Sequence, residues 1–266
     1  MDLKKFFLVT GVAIGIGLLA WVMYVNIMTF SPRVSPVPTQ PAPSAVVPVS
    51  DEGSSAEAPK AGSGALQVPL YTGADASVAR ENSSLIKAYP EDVKKKMREE
   101  LATLAARVEK DPTTLDAWLR IGVIKKFFGD YEGARDAWEY ASIIRPANVV
   151  SFLNLGGLYG SYLKDYPRAE KNYRQAIINN PADSSGYLEL ASLYRYSYKE
   201  KEGNIVPLME EGMTASDDDL NFTIYLGGYW TEKGDTAKAI ENYEKALKLD
   251  PDNKPIQAEI SRLKAL

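Results

Sequence analysis

The stretch LDAWLRIGVIKKFFGDYEGARDAWEYASIIRPAN, residues 115–148, returns in altered form three more times before the chain ends. Its marked positions are Trp118, Ile121, Gly122, Ala134, Trp138, Ala141 and Pro146. The second copy, 149–183, carries Phe152, Leu155, Gly156, Tyr159, Ala169, Tyr173, Ala176 and Pro181. The fourth, 220–253, carries Leu226, Gly227, Trp230, Ala239, Tyr243, Ala246 and Pro251. The third, 184–219, is degenerate. It has Tyr187, Leu190, Ala191 and Tyr194, but Ile205 where a small residue is expected and Asp217 where proline is. A fixed period of this size means stacked helical hairpins rather than one globular core.

The spacing has a physical reading. Gly122, Ala134 and Ala141 let paired helices approach, while Trp118, Ile121 and Trp138 fill the space between them. Pro146 cannot continue a helix and marks the passage to the next copy. Gly129-Asp130 and Gly234-Asp235 make turns between helices. From Trp118 the register steps through Phe152 and Tyr187 to Thr223, by 34, 35 and 36 residues. One- and two-residue insertions are therefore expected, near Leu163–Asp165 and Lys199–Asn204. On these residues the pattern resembles the tetratricopeptide repeat (TPR). The resemblance implies an all-α, right-handed superhelical array of helix-turn-helix units with protein binding as its business.

Four repeats are expected over 112–252, at about 115–148, 149–183, 184–219 and 220–253. Terminal repeats would otherwise show an apolar face to water, so caps are expected. At 90–111, Val93, Met97, Leu101, Leu104 and Val108 share one helical face, with Glu91 and Asp92 in the first turn. At 254–266, Ile256, Ile260 and Leu263 face inward and Gln257, Glu259 and Arg262 outward.

Composition narrows the chemistry. The chain has neither Cys nor His, which removes disulfides, thiol nucleophiles, imidazole bases and the usual zinc sites. No catalytic, cofactor-binding or metal-binding constellation is expected, and the chain reads as no enzyme. A formal charge of -4 with pI near 5.2 argues against nucleic acid. Asp217–Asp219 lacks the alternation of a calcium loop and reads as a helix N-terminus.

The N-terminal region differs in kind. From Phe6 to Phe30 no residue is charged, and at about 1.5 Å per residue such a helix spans about 37 Å, enough for a bilayer core. The run is too long for a signal-peptide apolar region. Residues 6–30 therefore read as an uncleaved transmembrane anchor, and 1–5 as a short tail. Lys4 and Lys5 before the span, against Arg33 beyond it, place the tail in the cytoplasm and the repeats outside, in a prokaryotic inner membrane. Gly11 and Gly15 form a small-residue stripe that could support a weak homodimer. Residues 31–89 read as a disordered Pro/Ser/Ala-rich linker with an r.m.s. reach of about 40–46 Å. Within it, Leu66–Tyr71 is more apolar and is expected to dock somewhere, the binding groove included.

In TPR arrays the first helix of each repeat lines the concave face. The resemblance then places Leu119, Val123, Lys126 and Phe127 there from the first copy, and Leu153, Asn154, Gly157 and Ser161 from the second. The third gives Leu188, Ser192, Arg195 and Tyr196, and the fourth Ile224, Gly228 and Glu232. A TPR subset holds C-terminal carboxylates through Lys and Asn at set positions. Here Asn154 matches one, but Leu119, Val123 and Glu189 stand at others, so that clamp is absent. The expected function is a membrane-tethered scaffold, adaptor or assembly factor holding a client peptide in an apolar groove. The alternative is an accessory subunit of an envelope biogenesis system such as cytochrome c maturation, against which stands the lack of haem-ligating residues.

Overall fold

A residue in the left-handed conformation followed by aspartate builds three of the interhelical turns. Gly129 (φ 81°), Lys164 (φ 57°) and Gly234 (φ 74°) hold that conformation. The next residue, Asp130, Asp165 or Asp235, accepts a hydrogen bond from the amide three residues on, at Gly133, Arg168 and Lys238. Each aspartate thus satisfies an orphan donor at the start of a helix. Its own amide closes the helix before it: Asp130 N–H donates to Lys125 O and Asp235 N–H to Trp230 O, both five residues back. In the second repeat Asp165 N–H reaches Tyr159 O, six residues back.

The computed structural model describes residues 68–216 and 219–266. Among them a short α1 (Ser83–Ile86) precedes the cap α2 (Glu91–Lys110). Repeat one is α3 (Leu115–Phe127) and α4 (Tyr131–Ile144); repeat two is α5 (Val149–Leu158) and α6 (Tyr166–Asn179). Repeat three is α7 (Ser184–Tyr196) and α8 (Ile205–Ala215); repeat four is α9 (Asp219–Glu232) and α10 (Thr236–Leu249). The chain closes on α11 (Lys254–Lys264). The two expected insertions are taken up as local helix: a π-helical turn at Tyr159–Leu163 and a 3-10 helix at Lys199–Asn204.

Hairpin partners pack through the aromatic and small residues of the repeat. A Cβ on Gly156 would lie 2.6 Å from the Tyr173 ring, and one on Gly227 2.5 Å from the Tyr243 ring. Only glycine permits that approach. Repeat three, with Ala191 at the same position, sets Met209 where the others have an aromatic ring, a slimmer and more adaptable partner. Tyrosine–carboxylate bonds tie neighbouring repeats: Tyr159 donates to Glu139 and Tyr194 to Glu170, both at 2.7 Å. The first helices α5, α7 and α9 lie side by side. Ile256, Ile260 and Leu263 of α11 are buried as expected, as are Leu101, Leu104 and Val108 of α2.

The linker expected to run to Tyr89 ends earlier. From Val68 the chain forms a strap on repeat one, because it carries the groups to do so. The Tyr71 ring lies 4.4 Å from Trp118 and 5.3 Å from Tyr140. Tyr140 donates to Pro69 O at 2.9 Å, and Ala74 N–H donates to Asp136 at 3.0 Å. Lys125, fully buried, donates to the carbonyls of Asp75 and Val78 and pairs with Asp130 at 3.5 Å. Asn82 N–H donates to Phe128 O at 2.7 Å. The described part of the Leu66–Tyr71 segment therefore docks against Trp118 and Tyr140. Leu66 and Gln67, the tail, the anchor at 6–30 with Gly11 and Gly15, and the rest of the linker lie outside the described residues. Among the described residues no helix is long and apolar enough to cross a membrane.

Candidate functional site

Counting from Trp118, Phe152, Tyr187 and Thr223 puts equivalent residues of the four first helices in rows. The next residue in each copy is Leu119, Leu153, Leu188 or Ile224, and all four are half-buried. They form a row of aliphatic side chains resting on the core clusters with one side open. Four residues further on stand Val123, Gly157, Ser192 and Gly228, again half-buried. These two rows belong to the expected groove residues and hold equivalent positions on the four first helices.

Gly157 and Gly228 differ from the glycines just before them. A Cβ on Gly157 would find only the Tyr173 hydroxyl, at 3.6 Å. One on Gly228 would meet the Tyr243 hydroxyl at 3.7 Å and an Arg195 nitrogen at 3.9 Å. These are ordinary contacts. Packing of the array requires Gly156 and Gly227 but not Gly157 or Gly228. A glycine inside a helix costs about 1 kcal/mol relative to alanine, and packing does not account for that cost at these two positions.

The ends of the first helices carry its polar groups. The resemblance places Arg195 on the concave face, and the structure shows its side chain already engaged. It is 8% exposed. Nε donates to Glu232 Oε2 at 2.7 Å and Nη2 donates to Gly228 O at 2.9 Å. The rings of Tyr196, Tyr225 and Tyr229 stand 5.1, 5.4 and 5.8 Å from the guanidinium carbon. Arg195 is thus a tie between repeats three and four. Tyr196 lies on the outside of that tie and is 61% exposed, so it remains available. The Tyr225 hydroxyl is buried, with Ser192 and Arg195 as its polar neighbours. Burial holds its pKa above the usual phenol range.

Phe127 is also placed differently from expectation. Its ring lies 4.8 Å from Tyr89 and 5.1 Å from Phe128, within the cluster that joins Ile86, the cap and repeat one. It fastens the N-terminal segment rather than lining the middle of the face. Its neighbour Lys126 stays on the face. The Lys126 ammonium stands 5.7 Å from the Trp138 ring and 5.9 Å from the Tyr162 ring. Burial pushes its pKa below the usual lysine range. Asn154 is half-buried and Ser161 exposed on the next helix.

Sequence reasoning misses two features. The Arg195–Glu232 tie is legible as a basic residue in one copy and an acidic one a position further on in the next, once the two-residue insertion is allowed for. The strap is signalled by apolar Val68 and Tyr71, whose partners cannot be read without the fold.

Residues 223–253, the fourth repeat, match the tetratricopeptide repeat family model. Among solved structures the chain is similar to a thermophilic TPR protein of Thermus thermophilus, with 13% identity and a TM-score of 0.45, over 66% of this chain and 95% of that one. It is also similar to the C-terminal part of a TPR repeat-containing protein of Cytophaga hutchinsonii, with 26% identity and a TM-score of 0.48, over 67% of this chain and 73% of that one. No curated protein matches the sequence.

Proposed function

We propose that this helical-repeat chain, with a tetratricopeptide repeat at 223–253, is a protein–protein interaction module that takes a client peptide on the face of its first helices. The observation that carries the reading is the pair Gly157 and Gly228. Each sits within a helix, neither is required by packing, and both leave room beside the row Leu119, Leu153, Leu188 and Ile224. Open space over half-buried aliphatic side chains is what an extended or helical segment needs in order to bury its own apolar groups. Tyr196 adds an exposed aromatic contact at one edge. Filling the space tests the reading directly: Gly157→Leu should leave the array folded by circular dichroism and reduce client binding several-fold. Unchanged binding with Gly157→Leu and Gly228→Leu together would move the site elsewhere.

The tether is part of the same proposal. The uncharged run 6–30 with Lys4 and Lys5 before it supports a single span, cytoplasmic tail inward and repeats outward, in a prokaryotic inner membrane. The module would then search for its client from a fixed base. Protease added to spheroplasts should digest the repeats. Protection of the whole chain until detergent is added would reverse the orientation, and release of a shortened soluble form would replace the anchor by a cleaved leader.

A further inference from the structure

The first socket is built at the junction of repeats three and four by the ends of their first helices, and repeat one carries a second cation at the position equivalent to its arginine. In the first, Arg195 faces Gly228 and Glu232, and the carboxylate of Glu232 neutralises the cation. Moved back by two repeats, Arg195 becomes Lys126, Gly228 becomes Gly157, and Glu232 becomes Ser161. The cation and the open glycine recur, but the carboxylate is replaced by an exposed hydroxyl.

Lys126 is accordingly a half-buried ammonium without an ion-pair partner among the described residues. It is bordered by the rings of Trp138 and Tyr162. Tyr131, 4.6 Å from Tyr162, extends the aromatic wall. Rings favour a cation by their quadrupole but do not neutralise it. An unpaired charge held partly out of water gains most from an opposite charge brought to it, since desolvation has already been met in the folded chain.

We propose that Lys126 is the charge-recognition point of the face and takes the carboxylate of an acidic side chain, Asp or Glu, set within an apolar segment of the client. This rests on the reading of the first-helix face as the binding surface. The internal copy shows what completes such a socket: a carboxylate, here Glu232. The apolar row continues on from Leu153 to Leu188 and Ile224, so a client runs past Lys126 rather than ending there. That favours a side-chain acid over a terminal carboxylate. Lys126 follows Leu119 and Val123 on the same helix, and those two positions do not carry the Lys and Asn of the two-carboxylate clamp of some TPR proteins.

The test is selection of a random-peptide phage library on the immobilised full-length chain in detergent, with peptides displayed so that no terminal carboxylate is free. Apolar peptides containing Asp or Glu should be enriched several-fold on the native chain. The acidic preference should vanish on Lys126→Met, which keeps the stem packed, and on Ser161→Glu, which supplies the carboxylate internally. The apolar preference should persist on both. Ser161→Glu should also raise the unfolding midpoint of the native chain and fail to do so beside Lys126→Met. Enriched peptides that depend on Leu153 but carry no acidic preference would overturn the Lys126 assignment and leave the face standing. The assignment also falls if a selected peptide remade with Gln for its acid regains full affinity through a free C-terminus. Absence of enrichment, or peptides indifferent to both Leu153→Asp and Lys126→Met, would remove the face and the assignment together.

Discussion

Arg195 Nε donates to Glu232 Oε2 at 2.7 Å and so fastens the first helix of repeat three to that of repeat four. The guanidinium is nearly buried while the Glu232 side chain is half-exposed. Water screens part of the pair, so its contribution lies below that of a fully enclosed one. Arg195→Met is expected to cost about 1–2 kcal/mol, mostly through lost charge-assisted hydrogen bonds. Urea unfolding followed by circular dichroism checks this, and Glu232→Gln should cost less.

Neighbouring glycines should respond with opposite signs. Gly156→Ala drives a methyl group to 2.6 Å from the Tyr173 ring and should destabilise by about 1–3 kcal/mol. Gly157→Ala meets only the Tyr173 hydroxyl at 3.6 Å and should stabilise by about 0.5–1 kcal/mol, by lowering the entropy of the unfolded chain. Unfolding midpoints of the two variants, measured side by side, give the comparison. Destabilisation by both would mean that Gly157 is held by packing after all.

The strap depends on one buried cation. Lys125→Met leaves the Asp75 and Val78 carbonyls without their donor and Asp130 without its counter-charge. Asp130 keeps its bonds from Gly133 and Arg80, so the expected loss is about 3 kcal/mol, the low end for breaking a buried pair. Hydrogen exchange should then speed up at the Ala74 and Asn82 amides before it does in α5–α10.

Alkali should unfold the array through its tyrosines. Burial, with a bond to Glu139 in support, pushes Tyr159 up to about 12. Tyr173 is raised by burial and then by Glu189, and Tyr194 by burial and then by Glu170. For a group whose folded pKa is raised, the stability is fully present below the unfolded value near 10 and is lost as pH climbs toward the folded one. Each such tyrosine should withdraw up to about 1.4 kcal/mol per pH unit over that window. Tyrosinate absorbance should therefore rise together with the loss of helical signal above about pH 10. Independent titration of these tyrosines in a folded chain would contradict the burial account.

The repeats are legible in the sequence because their period is set by helix pairing, and Gly156, Tyr173 and Ala176 have counterparts in other copies for the same steric reason. The turns are legible in part. Gly129-Asp130 and Gly234-Asp235 announce themselves, whereas Lys164 takes the left-handed position with nothing in its identity to say so. Roles on the face are harder to read. Arg195 and Lys126 occupy equivalent places, yet one is paired with Glu232 and the other has no ion-pair partner among the described residues. That difference depends on a residue in the next repeat, at a spacing shifted by insertions. Phe127 is misplaced by sequence reasoning because Tyr89, which covers it, comes from a segment whose composition reads as linker.

The most direct test of the central claim uses photo-reactive residues placed one at a time on two surfaces of the full chain. Leu153 and Leu188 mark the face of the first helices. Ile143 and Ile178, exposed at equivalent positions of α4 and α6, mark the competing surface of the second helices. If the first-helix face holds the client, Leu153 and Leu188 positions should crosslink to it and the Ile143 and Ile178 positions should not. Crosslinks confined to Ile143 and Ile178 would contradict the account.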